Sequence, residues 1–251
     1  MDLIYKVISI ICKNAIEYFT KNSYTVFRNQ KCRKDTEYFM RMRKKKNSEA
    51  RLEACAELII NTPEDLEAYR DRFPVCLEIG CGKGGFIRDT AKRHPDRLFI
   101  AAELQTSAII TALENSKAAE LTNVRFMNVN AMNLGEFFKK GEVKEIYLNF
   151  SDPWPKKGHT KRRLTYRDFL NVYKNILSDD GVIKMKTDND GLFEFSLEEF
   201  KECGWTLDKI TYDLHSESYA ADNIMTEYEK NFSSQGINIK ALEARFIASE
   251  E

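Results

Sequence analysis

The chain has 251 residues, 43% hydrophobic and 31% charged, which suits one large soluble α/β domain with a real core. Its net charge is zero, but residues 1–50 carry 12 Lys and Arg against 5 Asp and Glu, whereas the rest carries 27 against 34. The neutral total therefore hides basic patches, which matter more for a polyanionic partner than the overall charge does.

The cysteines and histidines lack the spacing of a metal site. None of the six cysteines forms a Cys-x-x-Cys pair, and the histidines at 94, 159 and 215 lie far apart. We therefore expect reduced thiols in a cytoplasmic protein and no bound metal.

Residues 1–39 form an N-terminal extension. Its apolar run from Leu3 to Phe19 is interrupted by three charged residues and is followed by no small-residue cleavage site. This pattern argues against a membrane span and a signal peptide, and it leaves two interpretations, an amphipathic helix or translation that begins at Met40. Five of residues 41–46 are basic, which fits either a solvated arm or an arm that binds RNA.

Strands and helices are predicted to alternate through most of the chain. A helix is expected near 49–60, and Thr62 followed by Pro63 and Asp65 is a second helix start. Strands are predicted near 75–79, 98–103, 124–128, 144–149 and 181–187, with helices near 84–93, 105–118, 166–176 and 190–202. This order predicts a mostly parallel sheet with helices on both faces. Alternating apolar residues over 210–214 and 237–241 predict an antiparallel pair at the sheet edge.

A glycine-rich turn follows the first of these strands. Glycines allow a sharp turn and let a ligand approach the backbone. Gly80, Gly82 and Gly84 fit the spacing G-x-G-x-G, but with Gly85 as the third glycine the dinucleotide pattern G-x-G-x-x-G fits equally well. The glycine spacing alone therefore does not identify the cofactor.

Two acids favour a cationic cofactor over a nucleotide with a pyrophosphate. Glu78 lies just before the glycines, where it would repel phosphate, and Glu103 follows Gly80 by 23 residues, where an acid can hold ribose hydroxyls. S-adenosylmethionine carries an ammonium and a sulfonium and no phosphate, so we predict it in preference to NAD. Asn130, after the third strand, can contact an adenine edge or cap the short helix that follows.

A loop with an acid, two prolines and an indole follows the fourth strand, and a basic run comes directly after it. In this segment, N-F-S-D-P-W-P over 149–155, Asp152 can accept hydrogen bonds from base N–H groups and Trp154 offers a stacking face. Ligands of open α/β sheets bind at this end of the strands. The loop predicts a pocket for a nucleobase, the alternative being that Trp154 fills core space.

Two later motifs have structural alternatives of their own. Asp188, at the end of the fifth strand, can cap the next helix or face the pocket. Thr226 and Glu229 have the T-x-x-E spacing of a helix capping box, which explains both residues without a functional role.

Taken together, these segments resemble the bacterial tRNA (guanine-N7-)-methyltransferase family over about residues 40–246. The most specific motif is D-P-W-P-K-K, within a match over 147–157, and the other matching segments are 40–45, 78–84, 162–165, 186–189 and 223–229. The resemblance implies a Rossmann-like class I methyltransferase fold, with a seven-stranded, mostly parallel sheet, an antiparallel edge strand and helices on both faces. It implies one domain over 40–251 and methylation of guanosine N7 at position 46, in the tRNA variable loop.

The resemblance also implies a role for each matching residue. The S-adenosylmethionine site would comprise Glu78, Gly80, Gly82, Gly84, Glu103, Asn130 and Asp152. Asp152 would also be the catalytic acid. The substrate would be bound by Lys156, Asp188, Thr226, Glu227, Tyr228 and Glu229. RNA would contact Gly158, His159, Thr160, Lys161, Arg162 and Arg163. Asn130 departs from the family, which usually has Asp there. The implied partner is tRNA, with no membrane or metal, and the protein is expected to be a monomer or homodimer.

Three rival functions share parts of this pattern. An amino-methyltransferase acting on DNA or a protein amide would have the same two loops. A non-catalytic RNA-binding protein would account for Asn130 but not for the acids Glu78, Glu103 and Asp152. A nicotinamide dehydrogenase would need the pyrophosphate that Glu78 repels.

Overall fold

The computed structural model describes residues 47–70 and 74–246, and the predictions for the extension 1–39 and the basic run 41–46 lie outside these residues. The described strands are β1 Val75–Ile79, β2 Leu98–Ala102, β3 Val124–Met127, β4 Val143–Asn149, β5 Leu177–Thr187, β6 Thr206–Thr211 and β7 Lys240–Arg245. The described α-helices are α1 Ser48–Glu53, α2 Gly85–Arg93, α3 Thr106–Ala118, α4 Arg167–Ile176, α5 Asp190–Glu202 and α6 Glu227–Ser234.

The strands form one sheet in the order β3-β2-β1-β4-β5-β7-β6. All neighbouring pairs from β3 to β5 are parallel, and β7 runs antiparallel to both β5 and β6. The mostly parallel seven-stranded sheet with an antiparallel pair at one edge is thus confirmed. The direction of the strand order reverses between β1 and β4, where the loops diverge and leave a crevice beyond the carboxyl ends.

Every residue of β1 and β2 is buried, as expected for strands covered on both faces. On one face Leu77 and Ile146 belong to the same core cluster as Phe193 of α5, and on the other Phe99 clusters with Ile109 of α3. Full burial of such side chains stabilises the fold by roughly 1.5–3 kcal/mol each. The strand ends that carry the site residues therefore project from a rigid base.

The two helices predicted before β1 are shorter than expected. The first, α1, ends at Glu53 rather than near residue 60. The backbone N–H of Ile60 instead donates to the Phe126 carbonyl at 2.8 Å, so the chain is extended beside β3. Thr62 and Asp65 do form a capping box, but the helix that they start is a 3-10 turn over Pro63–Leu66.

The last two strands are displaced from their predicted positions. The prediction centred on 210–214 and 237–241, whereas β6 ends at Thr211 and β7 begins at Lys240. A register shift between Asp208 and Thr211, with Lys209 at φ +48°, interrupts β6. The bulge leaves the alternating apolar residues Ile210 and Tyr212 exposed, so their pattern did not report burial in the sheet.

Within residues 47–70 and 74–246, no helix has the length and apolar content needed to cross a bilayer. No group of three or more His, Cys, Asp and Glu side chains in these segments is arranged to hold a metal ion. The four cysteines described there are free thiols, at positions 55, 76, 81 and 203.

Candidate active site at the carboxyl edge of the sheet

The loops that follow β1, β2 and β4 meet at one edge of the sheet, next to the switch point. Glu78 of β1 is paired in register with Ala101 of β2 and with Tyr147 of β4. Glu103 and Asp152 follow those two neighbouring strands. Three acids that are far apart in the chain are therefore brought to one crevice.

The glycine-rich turn between β1 and α2 has left-handed backbone at Gly80 (φ +80°), Gly82 (φ +55°) and Gly84 (φ +75°). A Cβ at Gly84 would lie 2.8 Å from Cβ of Ala112 in α3, so this glycine permits close packing of two helices. A Cβ at Gly80 or Gly82 would meet no atom within 4 Å. Those two glycines therefore form an open floor that a ligand can approach closely.

Glu78 is buried beneath this floor, with 3% of its surface exposed. Its Oε1 accepts a hydrogen bond from Asn149 Nδ2 at 3.1 Å, whereas its buried Oε2 has no partner among the described residues. Burial raises the pKa of Glu78 to about 7 and the Glu103 charge adds to the increase, whereas Asn149, Lys186 and the Ile87 backbone N–H oppose it. A buried carboxylate with an unpaired oxygen is costly to maintain, and a cationic ligand would satisfy it.

Glu103 connects the β1 and β2 loops. Its two carboxylate oxygens accept hydrogen bonds from the backbone N–H groups of Gly82 at 2.9 Å and Gln105 at 2.8 Å. Burial raises the pKa of Glu103, and the nearby negative charge of Asp152 adds to the increase. Glu103 in turn contributes to the raised pKa of Glu78. The three carboxylates therefore share one electronegative crevice, which favours a positively charged ligand.

The loop after β4 carries Asp152 at its exposed tip. Phe150 (φ +52°) and Trp154 (φ +41°) both have left-handed backbone, which is strained for residues other than glycine. Trp154 is only half-buried, and its ring packs under the Arg162 guanidinium at 4.8 Å and against His159 at 5.7 Å. The ring thus lies at the surface between the Arg162 guanidinium and the His159 ring, and the alternative that Trp154 fills core space is wrong.

Lys186, at the end of β5, anchors the segment before α6, a role that the sequence analysis missed. Its Nζ donates to Glu229 Oε2 at 2.7 Å, to Asn223 Oδ1 at 3.0 Å and to the Ile224 carbonyl at 3.0 Å. Burial alone would raise the pKa of Glu229, but the Lys186 charge holds it below its ordinary value. A lysine at a strand end carries no sequence signal for such a partner, because the partner lies about 40 residues away.

The T-x-x-E motif is a capping box, as its spacing predicts. The Glu229 N–H donates to Thr226 Oγ1 at 2.9 Å, the Thr226 N–H donates to Glu229 Oε2 at 3.3 Å, and both side chains are buried. Between them, Glu227 and Tyr228 are exposed. The motif therefore fixes the start of α6 and presents its two middle residues outwards.

Glu227 lies beside the amino end of α2. A Cβ built at Gly85, the first residue of α2, would be 3.5 Å from Glu227 Oε1. The helix dipole favours a negative charge there, and in dinucleotide-binding folds a pyrophosphate takes that place. Here a side chain supplies the charge, which adds a further carboxylate to the crevice and opposes binding of a phosphate.

Asn130 and Asp188 lie at two other strand ends. Asn130 caps the 3-10 helix over Ala131–Glu136, since its Oδ1 accepts from the Met132 N–H at 3.0 Å. Asp188 does not cap α5, because Asn189 Oδ1 accepts the hydrogen bond from the Leu192 N–H at 2.8 Å. Asp188 is half-buried at the end of β5. Of its two predicted roles, the one that remains is a side chain that faces the pocket.

The basic run after the Asp152 loop forms a 3-10 helix over Lys157–Arg162. Its residues differ in exposure: Lys156, Gly158, Lys161 and Arg162 are exposed, whereas His159, Thr160 and Arg163 are half-buried. The run thus presents a cationic surface directly beside Asp152, where a polyanion could bind.

Comparisons with known proteins agree with this arrangement. A family model described as "Putative methyltransferase" matches residues 72–242. The tRNA (guanine-N(7)-)-methyltransferases of Brevibacillus brevis and Streptococcus pyogenes serotype M6 are each 46% identical to this chain over 212 residues. The alignments cover 83% and 82% of this chain and 99% and 100% of the relatives.

Solved structures with a similar fold include the 16S rRNA methyltransferase KamB, with a TM-score of 0.55 at 18% identity over 73% of this chain and 93% of that one. The antibiotic-resistance methyltransferase Kmr has a TM-score of 0.53 at 17% identity over 75% and 94% of the two chains. These two likenesses establish the fold. On the strength of the two relatives aligned over nearly their whole length, the chain belongs to the bacterial tRNA (guanine-N(7)-)-methyltransferase family.

Proposed function

We propose that this enzyme transfers the methyl group of S-adenosylmethionine to N7 of the guanosine at position 46 in the variable loop of tRNA, in the cytoplasm. The activity and cofactor follow from membership of the family, and the position is what the sequence motifs imply. The observation that carries the proposal is the unpaired, buried Oε2 of Glu78 beneath the open floor of Gly80 and Gly82.

The crevice suits S-adenosylmethionine in charge and in shape. Glu78 would face its cationic groups, Gly80 and Gly82 would pass beneath it, and Glu103 would accept hydrogen bonds from the ribose hydroxyls. The Glu103 oxygens already accept backbone hydrogen bonds from Gly82 and Gln105, and a carboxylate has about four acceptor sites, so capacity remains for the ribose. When bound, the cofactor supplies an electrophilic methyl group on sulfur. Asn130 would contact the adenine, while Gly84 would support the turn.

Asp152 would orient the guanine and stabilise the charge that the base gains. N7 has a free lone pair and no proton, so the reaction needs no general base to expose it. The carboxylate of Asp152 would accept hydrogen bonds from N1–H and the exocyclic amine of the base. The purine becomes positively charged as the methyl arrives, and a nearby carboxylate stabilises that charge. Catalysis therefore comes from positioning and electrostatics.

Tyr228 is the best candidate to stack on the base. The residue is 65% exposed, and its ring stacks on Phe150 at 6.4 Å and on Phe232 at 6.5 Å, close to the Asp152 loop. An unstacked base in single-stranded RNA commonly packs on such an aromatic face. Lys156, Asp188 and Glu227 would complete the substrate site, and the buried residues Thr226 and Glu229 would hold Tyr228 in place.

Binding of S-adenosylmethionine is expected to strengthen as the pH rises through 7. The pKa of Glu78 is raised to about 7, so the group is neutral below that pH and must lose its proton to pair with a cation. We expect the Kd to be about five to ten times weaker at pH 6 than at pH 7.5. Calorimetry in buffers of different ionisation enthalpy would measure the proton release. A constant Kd without proton release would contradict the role of Glu78.

Reversing the charges of the two exposed cations, with Lys161→Glu and Arg162→Glu together, is expected to weaken tRNA binding. The salt dependence of binding should also become shallower, its slope falling by about one for each phosphate that the protein no longer neutralises. Filter binding over a range of KCl concentrations measures both effects, and a titration with S-adenosylmethionine is the folding control. Unchanged tRNA affinity would mean that this surface is merely solvated.

Nucleoside analysis of tRNA after incubation with the enzyme and labelled S-adenosylmethionine tests the proposed function. The expected product is 7-methylguanosine, and it should disappear when adenosine replaces guanosine at position 46. Parallel reactions with DNA and protein substrates distinguish the rival amino-methyltransferase. Label on another atom, or no label in tRNA, would overturn the proposal.

A further inference from the structure

Three consecutive cations follow the Asp152 loop, but their side chains take different directions. Lys161 and Arg162 are exposed, and the Arg162 guanidinium covers the Trp154 ring. Arg163 is half-buried and turns back to the loop itself. Its Nε donates to the Pro153 carbonyl at 2.8 Å and its Nη2 donates to the Trp154 carbonyl at 3.2 Å.

The Arg163 guanidinium is also held from outside the loop. It lies 4.4 Å over the ring of Phe195, a residue of α5. Burial lowers the pKa of Arg163. A charge that is partly removed from water and directed at two carbonyls is poorly placed to attract a phosphate.

The Asp152 loop needs such an external contact. Phe150 and Trp154 have left-handed backbone, which costs about 1–3 kcal/mol each and persists only where the surroundings fix it. Pro153 and Pro155 have no backbone N–H, so between them the loop offers mainly carbonyl acceptors. A planar guanidinium can satisfy two neighbouring carbonyls at once, which a lysine ammonium cannot do with the same geometry.

We propose that Arg163 is a positioning residue that holds the Asp152 loop in its reactive shape, and that it does not contribute to the cationic surface that binds RNA. The two carbonyls that it holds belong to the residues directly after Asp152. The inference rests on the proposed role of Asp152 in orienting the guanine. The two adjacent arginines therefore have different roles, because Arg162 remains available to the tRNA and Arg163 does not.

Removal of Arg163 should therefore affect turnover rather than tRNA affinity. Arg163→Ala is expected to lower kcat by about tenfold to a hundredfold, the size of effect that small misplacements of catalytic groups produce. The salt slope of tRNA binding should stay at the wild-type value. Arg163→Lys keeps the charge but should not restore kcat. The matched control, Lys161→Ala, should raise KM for tRNA and reduce the salt slope by about one.

The shape of the loop can be followed independently through tryptophan fluorescence. Trp205 is only 4% exposed, so iodide quenching reports mainly on Trp154. Quenching should increase in Arg163→Ala and Arg163→Lys. Both variants should still bind S-adenosylmethionine, which would show that the fold is retained. If Arg163→Ala fails to bind the cofactor and Arg163→Lys still binds it, the Ala variant is misfolded. The kcat and the quenching of Arg163→Lys then test the role of Arg163.

A contrary result would be an Arg163→Ala enzyme with the wild-type kcat and quenching but a salt slope reduced by about one, which would make Arg163 an RNA contact. Failure of the proposed function would look different. The wild-type enzyme would then form no 7-methylguanosine, while the quenching comparison would still show whether Arg163 holds the loop.

Discussion

Asp152→Asn is expected to lower kcat/KM for methyl transfer by about 30-fold to 1000-fold, a loss of about 2–4 kcal/mol of transition-state stabilisation, while the fold is retained. The substitution keeps the size of the side chain but removes its charge. It also replaces one acceptor with an N–H donor, which would face the N–H groups of the guanine. In the proposed mechanism, both changes would act on the base as it becomes positively charged.

Single-turnover kinetics with saturating tRNA and S-adenosylmethionine would measure this loss. Asp179→Asn is a suitable control, because Asp179 is an exposed acid of β5 outside the site. The control should behave as the wild type. Full activity of Asp152→Asn would refute the catalytic role of the carboxylate.

Glu78→Gln is expected to weaken binding of S-adenosylmethionine by about a hundredfold or more, since it removes the buried charge that is proposed to pair with the ligand. The same change should stabilise the ligand-free protein. Burial raises the pKa of Glu78 from 4.5 to about 7, so ionisation is harder in the folded than in the unfolded chain. The ionised group therefore destabilises the fold increasingly as the pH rises from 4.5 to 7, by about 3 kcal/mol at most. A glutamine avoids this cost and can still accept the hydrogen bond from Asn149.

Thermal unfolding of wild type and variant without ligand would test the stability gain. The variant should be more stable at pH 7.5, and its advantage should shrink towards pH 5, where Glu78 is protonated in the folded wild type. A variant that is less stable than the wild type at pH 7.5, or that binds S-adenosylmethionine normally, would contradict this description of the crevice.

Much of the fold could be predicted from local patterns. The strand from Val75 to Ile79 and the helices near 105–118 and 190–202 were placed within one or two residues, because apolar runs and glycine turns mark such elements directly. The strand β6 was misplaced, because a register shift near Lys209 leaves the apolar residue Ile210 exposed. Bulges depend on the partner strand, which a single sequence does not reveal.

The convergence of the candidate site residues was predictable where they follow strand ends. Glu78, Glu103 and Asp152 meet because neighbouring parallel strands end at the same edge. The contacts that support them could not be foreseen. Lys186 with Glu229 and Arg163 with the Asp152 loop join parts of the chain by side-chain geometry rather than by spacing. Likewise, only the structure separates Gly84, which packs on α3, from Gly80 and Gly82, where a Cβ would meet no atom within 4 Å.

The most direct test of the acidic crevice is a pair of calorimetric titrations of the full chain, one with S-adenosylmethionine and one with NAD. Four carboxylates line or approach the glycine turn, including Glu227 at the amino end of α2. We predict saturable binding of S-adenosylmethionine at pH 7.5. In the second titration we predict no binding of NAD, even at a large excess of NAD over protein. Preferential binding of the pyrophosphate-bearing nucleotide at this site would contradict the assignment of the crevice to a cationic methyl donor.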